Sequence, residues 1–187
     1  MPQKAKMTSE QIKISIDKDE LQLQFWDKLA HYKLVLLFFF ISVLYLVNEY
    51  IFGSSMKDLG FKTLVSIPFL VLGFYFYKIQ KSELKFQSVI RNLPNDELKF
   101  IIEEVMIELE WEIEYVDKNV FVATTSPGPF SVRFGERITI LLDKEKIYVN
   151  SICDPHRKSS ISSNGRNRKN MLTLIEKIEK NQVARTV

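Results

Sequence analysis

Two long apolar runs constrain the fold of this chain more than any other feature. Residues 34–47 (LVLLFFFISVLYLV) and 64–77 (LVSIPFLVLGFYFY) contain no charged side chain. Residues 34–52 and 61–79, which extend these runs, cover 19 positions each. A helix of about 20 mostly apolar residues crosses the roughly 30 Å hydrocarbon core of a bilayer. The sequence therefore predicts a two-helix transmembrane hairpin over residues 33–80, held in a lipid bilayer.

Two alternatives to a membrane hairpin are weaker. Core helices of a globular protein would need a large polar shell, and the residues after position 80 suffice only for a core of their own. A cleavable signal peptide starts close to the N-terminus and ends in small residues, whereas the first run begins some thirty residues along the chain. Overall composition does not decide, because 46% hydrophobic and 26% charged residues are also typical of a soluble domain.

Lysines near the helix ends predict the orientation of the hairpin. They lie mainly on the terminal side, as Lys28, Lys33, Lys78, Lys81 and Lys85, against Lys57 and Lys62 near the connecting loop. Cytoplasmic segments carry the excess of basic residues. We therefore expect both termini in the cytoplasm and the hairpin in a bacterial inner (plasma) membrane. The single cysteine, Cys153, is consistent with a reducing compartment.

The N-terminal segment, residues 1–32, is polar at its start and amphipathic at its end. Isoleucines alternate over residues 11–16, which predicts a strand. Apolar residues then recur at helical spacing over 21–33, as Leu21, Phe25, Trp26 and Leu29. This pattern predicts either an amphipathic helix at the membrane interface or a continuous extension of the first span. His31 lies in this stretch without an expected partner.

After a polar connector, residues 81–91, the pattern predicts a small domain over 92–182, followed by a short tail over 183–187. An amphipathic helix begins with Asn95 or Asp96 as its N-cap and ends near residue 110. Four strands and a closing helix follow, over residues 111–116, 120–125, 131–142, 146–152 and 167–180. The order α-β-β-β-β-α predicts an α+β fold with an antiparallel sheet and both helices on one face. Gly135, inside the third strand, indicates a bulge or bend.

Several short motifs in this domain also suggest a family. They are WEIEYVD in the first strand, Ala123 and Thr124 in the second, ERITI, IYVNS, and GRNRKN before the last helix. Over about residues 105–178 this string resembles a bacterial and plastid domain family of unknown function. The chain departs from that family's pattern at Asn150, where a basic residue is usual, and in the extra pair Asp154 and Pro155. The whole chain resembles uncharacterised two-helix bacterial membrane proteins, and the resemblance implies no particular activity.

The basic loop, residues 154–170, has the most distinctive chemistry in the chain. The first turn of a helix offers unpaired backbone N–H groups and a positive dipole end, with Asn167 as the expected cap. Basic side chains there cost about 0.3–1 kcal/mol each, which a bound anion would offset. We therefore predict an anion site for phosphate groups, above all anionic lipid headgroups, or a contact with a protein partner, and a solvated basic loop is the alternative. Its residues are Arg157, Lys158, Arg166, Asn167, Arg168 and Lys169.

Acidic residues are concentrated elsewhere in the domain. Residues 96–117 hold nine Asp or Glu against one Lys. Solvated helix and strand faces explain most of these acids, although pairing with the basic loop of another copy is one route to self-association. From residue 83 onward basic and acidic residues balance, so binding to nucleic acid is not expected.

No catalytic residue, metal site or cofactor is predicted. Cys153, Asp154 and His156 lie close together, but a Cys–His nucleophile needs a third orienting group and a metal needs more ligands than these. Glycine-rich phosphate loops and nucleophile elbows are absent from the sequence. The sequence favours an integral membrane protein that presents a cytoplasmic α+β binding or scaffold domain. A small membrane-associated enzyme acting on lipid or envelope substrates is the alternative.

Overall fold

The computed structural model describes residues 6–52, 56–125, 135–155 and 165–186, with side chains except at 48–63 and 186. In this part of the chain there are six helices and five strands. They are α1 (Ser9–Lys18), α2 (Phe25–His31), α3 (Lys33–Phe52), α4 (Met56–Glu83), β1 (Gln87–Ile90), α5 (Asn95–Glu108), β2 (Trp111–Asp117), β3 (Val120–Thr125), β4 (Glu136–Leu142), β5 (Lys146–Cys153) and α6 (Arg166–Thr186). The chain forms two compact units, Gln24–Ser82 and the combination of Met1–Leu23 with Glu83–Val187.

The second unit is an α+β domain around one antiparallel sheet, as predicted. Its five strands have the order β1-β5-β4-β3-β2, and every neighbouring pair is antiparallel. The predicted connector, residues 81–91, contains β1, which pairs with β5. Sequence alternation missed β1 because this four-residue edge strand turns only one apolar side chain, Val89, into the core. The third predicted strand, residues 131–142, corresponds to β4 from Glu136 onward, and its residues 131–134 lie outside the described residues. Gly135, directly before β4, has φ 71° and gives the predicted bend.

Helices α5 and α6 pack on the same face of the sheet, as predicted. Their inward residues join the apolar side chains of the sheet in one buried cluster. Leu98, Ile102 and Val105 of α5 and Leu174 and Ile178 of α6 are fully buried. Burying a side chain of this size contributes about 1.5–3 kcal/mol. Asn95 is the first helical residue of α5 rather than its cap, because Pro94 occupies the N-cap position.

Residues 11–16 form part of helix α1 and not the predicted strand. Thr8 and Gln11 close a capping box: the N–H of Gln11 donates to Oγ1 of Thr8 at 3.2 Å, and the N–H of Thr8 donates to Oε1 of Gln11 at 2.9 Å. This pair satisfies two backbone donors at the helix start. Ile12 and Ile16 are four residues apart, a spacing that fits a helix face as well as a strand. The capping box of Thr8 and Gln11 favours the helix over the strand.

The segment that contains helix α1 approaches the sheet near β2 at one end and near β5 at the other. At one end, Nζ of Lys6 is 2.9 Å from Oδ2 of Asp117 and 5.0 Å from the ring centre of Tyr115 on β2. At the other end, burial and the nearby carboxylates of Asp143, Asp19, Glu145 and Asp17 raise the pKa of Tyr148 on β5. Three strand spacings separate β2 from β5, about 14 Å, and ten helical residues cover about 15 Å. The N-terminal residues up to 23 therefore belong to the domain.

The other compact unit contains α2, α3 and α4. Helix α2 is not a continuous extension of α3, because the axis bends by 68° between Phe25–His31 and Lys33–Val47. Helices α3 and α4 pack antiparallel through stacked rings, with Phe38 and Phe76 centred 5.4 Å apart. The hydroxyl of Ser42 donates to the carbonyl oxygen of Ser66 at 3.2 Å. A Cβ at Gly73 would meet the Phe39 ring at 3.3 Å, so this glycine permits the close approach.

The stability of the α+β domain is expected to fall as the pH rises from about 5 to about 8, because of Glu83. Burial raises the pKa of Glu83 from 4.5 to about 7, so the folded chain holds a proton that the unfolded chain releases. The contribution is fully present below pH 4.5 and is lost as the pH passes about 7. With allowance for partial exposure the loss is about 1–2 kcal/mol. Urea unfolding of the unsubstituted chain and of Glu83→Gln measures it, and equal pH dependence in both would contradict this role.

Candidate functional site

The predicted anion site is only partly described by the structure. Arg157 and Lys158, together with His156, lie outside the described residues. Arg166 is the first residue of α6 and follows Gly165, whose φ of 83° turns the chain into the helix. The remaining three predicted residues fall in the first turn of α6, where Arg168 and Lys169 are exposed and Asn167 is buried.

The side chain of Arg166 is directed to a buried carboxylate. Its Nη2 lies 3.2 Å from Oε2 of Glu136, whose side chain is 4% exposed. Glu136 also accepts a hydrogen bond from the hydroxyl of Thr125, and the N–H of Glu136 donates to Oγ1 of Thr125 at 2.8 Å. Because Thr125 and Glu136 lie at the facing ends of neighbouring strands β3 and β4, the contact follows from the sheet. Arg166 therefore anchors α6 to the sheet.

The prediction that Asn167 caps α6 is wrong, because Asn167 is the second residue of the helix. Its Oδ1 accepts a hydrogen bond from the hydroxyl of Ser151 on β5 at 3.1 Å. Nδ2 of Asn170, three residues later on the same helix face, donates to Oγ of Ser151 at 3.1 Å. All three side chains are buried. This small network links the start of α6 to strand β5. It directs the side chain of Asn167 to Ser151 rather than to the backbone at the start of the helix.

Sequence analysis missed Thr125, Glu136, Ser151 and Asn170 as members of this cluster. A usable signal was present in the two strands. Glu136 is in phase with the inward residues Ile138 and Ile140 of β4, and Ser151 is in phase with the inward residue Val149 of β5. A polar residue in phase with core positions is expected to be buried and paired.

Replacing Arg166 by Met is expected to destabilise the domain by about 1–3 kcal/mol, because the buried Glu136 carboxylate loses its charged partner. The double variant Arg166→Met/Glu136→Gln should regain part of this loss. Arg168→Met removes an exposed cation two residues later in the same helix. It should change stability by less than about 0.5 kcal/mol. Chemical unfolding of the full chain measures these three variants and Glu136→Gln alone. Strictly additive losses in the double variant would show that the two side chains do not interact.

Of the three residues considered for catalysis, the structure describes Cys153 and Asp154. Cys153, at the end of β5, is buried opposite Glu136. Asp154 is 1% exposed, and its backbone N–H donates to the carbonyl oxygen of Gly135 at 3.2 Å. Among the described residues, no group of three or more His, Cys, Asp or Glu is placed to hold a metal ion. The burial of Cys153 limits access of an electrophile to its thiol.

A second candidate surface lies on α3 and α4, whose described side chains include fifteen large apolar or aromatic ones that are exposed. We call it the outer apolar surface, and its members are between 39% and 66% exposed. On α3 they are Leu36, Leu37, Phe40, Val43, Leu44, Tyr45, Leu46 and Val47, and on α4 they are Leu64, Ile67, Val71, Leu72, Phe74, Tyr75 and Tyr77. Over the described residues, no single helix meets the length and hydropathy expected of a membrane span, whereas Phe25–His31 and Lys33–Val47 meet it jointly across their bend.

Comparison with known proteins adds no relative to this picture. No protein-family model, curated protein or solved structure matches the chain. The resemblance of residues 105–178 to a bacterial and plastid family therefore stays a prediction. Function has to be argued from the two surfaces described above.

Proposed function

We propose that this chain is an integral membrane protein in which α3 and α4 form a transmembrane hairpin that holds the α+β domain at the bilayer. The outer apolar surface carries this proposal. Soluble monomers rarely expose contiguous apolar patches larger than a few hundred Å². The exposed side chains on α3 and α4 would be unfavourable in water and favourable among lipid tails.

The dimensions and internal contacts of the two helices support the same proposal. No single helix qualifies as a span over the described side chains, but the backbone of α3 covers 20 residues. This is about 30 Å of helix, which matches the hydrocarbon thickness of a bilayer. Between the helices, Ser42 and Ser66 are buried and joined by a hydrogen bond, and Gly73 lies against Phe39. Small residues and interhelical hydrogen bonds are the usual basis of helix association in membranes. The polar groups thus face the partner helix, while the apolar side chains face outward.

Extraction of membranes that contain the full chain tests the anchoring directly. Alkaline carbonate removes peripheral proteins and leaves spanning proteins in the pellet. We expect the chain to remain in the pellet under carbonate and to enter solution only with detergent. A compact monomer in solution without detergent would overturn the proposal.

In this proposal both ends of the chain lie in the cytoplasm, because lysines such as Lys28, Lys33 and Lys81 flank the hairpin on its terminal side. Lys144, an exposed residue between β4 and β5, provides a test. The Lys144→Cys variant should react with a membrane-impermeant maleimide only after bacterial cells are opened. The unsubstituted chain, with Cys153 buried, is the matched control. Labelling of Lys144→Cys in intact cells would place the domain outside.

The domain itself is proposed as a binding or scaffold module that takes anionic headgroups, or an acidic protein partner, at the basic loop. The exposure of Arg168 and Lys169 supports this role, whereas Arg166 is already paired with Glu136. Titration of the full chain in neutral-lipid nanodiscs with glycerol phosphate tests it. We expect Arg168→Ala/Lys169→Ala to lose binding and Lys144→Ala/Lys146→Ala, an equally exposed pair, to keep it. Equal behaviour of the two variants would remove the role.

A further inference from the structure

Helix α2 has the opposite polarity to a surface helix of a soluble protein. Its aromatic residues Phe25 and Trp26 are 68% and 75% exposed, and Leu29 is 37% exposed. Its polar residues Asp27 and His31, four positions apart on one face, are 8% and 6% exposed. A helix in water buries its apolar stripe and exposes its charged face. The arrangement of α2 is therefore favourable only where the outer surroundings are apolar.

Contacts with α4 and α3 keep α2 in this orientation. Nε2 of His31 lies 2.9 Å from the carbonyl oxygen of Gln80, and because a carbonyl only accepts, this nitrogen carries the proton. Tyr32, directly after α2, lies against Tyr77 with ring centres 5.6 Å apart. Burial lowers the pKa of His31, which keeps the ring neutral in its enclosed position. The polar face of α2 is thus held inward and cannot turn to replace the aromatic face.

The bend between α2 and α3 determines how α2 is oriented relative to the bilayer plane. The two axes differ by 68°, so a membrane-spanning α3 places α2 closer to the bilayer plane than to its normal. Leu36 and Leu37, near the start of α3 and only a few residues after α2, are exposed apolar residues as well. Lys28, within α2, and Lys33, at the first position of α3, are also exposed. Aromatic rings beside lysines are typical of the headgroup boundary, where the rings bury and the ammonium groups reach phosphate.

We propose that α2 is an in-plane anchor, with Phe25, Trp26 and Leu29 inserted at the boundary between phospholipid headgroups and acyl chains. This inference rests on the proposed membrane hairpin and adds a third membrane element to it. The occupant of the exposed face is the lipid boundary rather than a protein, because α2 leads directly into α3, which carries part of the outer apolar surface. The inserted rings fix the position of the start of α3 along the bilayer normal. They thereby fix the depth of the whole hairpin in the bilayer.

The depth of the Trp26 ring tests this proposal in the full chain. The chain has two tryptophans, and Trp111 is 6% exposed in the domain core. The difference in fluorescence between the unsubstituted chain and Trp26→Phe therefore isolates Trp26 without altering the core. Both chains are reconstituted into phosphatidylcholine vesicles whose acyl chains carry bromine either near the headgroup or near the terminal methyl. Bromine quenches a tryptophan ring that it contacts.

We expect shallow bromine to reduce the Trp26 signal by about half and deep bromine to reduce it much less, as for a ring at the interface. The Trp111 signal that remains in Trp26→Phe should be quenched by neither lipid. Stronger quenching by deep bromine would make α2 part of a span and overturn the inference. Absence of quenching by both lipids, as expected for a ring in water or against a protein, would also overturn it. Co-flotation of the chains with the vesicles separates these outcomes from failure of the hairpin, because a chain that does not float refutes the proposed function itself.

Discussion

Replacement of Leu44 by Arg is expected to reduce insertion of the chain into membranes by about a hundredfold. Leu44 lies near the middle of α3 and is 49% exposed on the outer apolar surface. An arginine at the centre of a membrane helix costs about 2.5–3.5 kcal/mol, and the leucine that it replaces contributes a few tenths favourably. The same substitution on a water-exposed helix would be close to neutral. Leu44→Arg therefore separates a lipid-facing surface from a solvent-facing one.

The matched control is Ile107→Arg, which introduces the same side chain at a highly exposed apolar residue of the domain. Ile107 is 81% exposed on α5. We expect Ile107→Arg to stay in the membrane pellet after carbonate extraction, while Leu44→Arg shifts to the supernatant or is degraded. Equal membrane retention of both variants would mean that Leu44 does not face lipid, and the proposed hairpin would then lose its main support.

Local patterns in the sequence predicted the parts of the fold that are locally determined. Alternation predicted β2, β3 and β5 within one residue at each end, and helical spacing predicted α5 and α6. Strand β1 and helix α1 were not predicted, because their structure depends on distant partners or on a cap. Pairing with β5 stabilises β1, and α1 depends on the capping box of Thr8 and Gln11. In both cases a short segment gains its structure from contacts that periodicity does not report.

The candidate sites were predicted less completely than the fold. Basic residues marked the start of α6, but Arg166 binds Glu136 and Asn167 binds Ser151. The partners come from β4 and β5, which lie before the loop in sequence, so only the tertiary structure assigns the bonds. For α2 the sequence predicted the amphipathic pattern and not the side that faces the protein. That side depends on His31 meeting Gln80, 49 residues later, a contact without a local signal.

The largest loss of stability is expected from Leu98→Ala, by about 2–5 kcal/mol. Leu98 is fully buried on α5 and belongs to the same buried cluster as Trp111. Its truncation removes apolar contacts and leaves a cavity that the packed sheet cannot close. The unfolding free energy of a domain is only about 5–15 kcal/mol, so the variant should unfold at much lower denaturant concentration or fail to fold at 37 °C.

Ile107→Ala on the same helix is the matched control, because its side chain is 81% exposed and its removal should change stability by less than about 0.5 kcal/mol. Trp111 fluorescence in a Trp26→Phe background follows unfolding of the domain in detergent-solubilised full chain. The two substitutions lie on the same helix and differ in burial. The difference between their losses in unfolding free energy therefore measures how much Leu98 contributes through the buried cluster that α5 and α6 share. Similar losses in both variants would show that Ile107 is covered in the folded protein, and the face of α5 opposite the sheet would then have to be an interface.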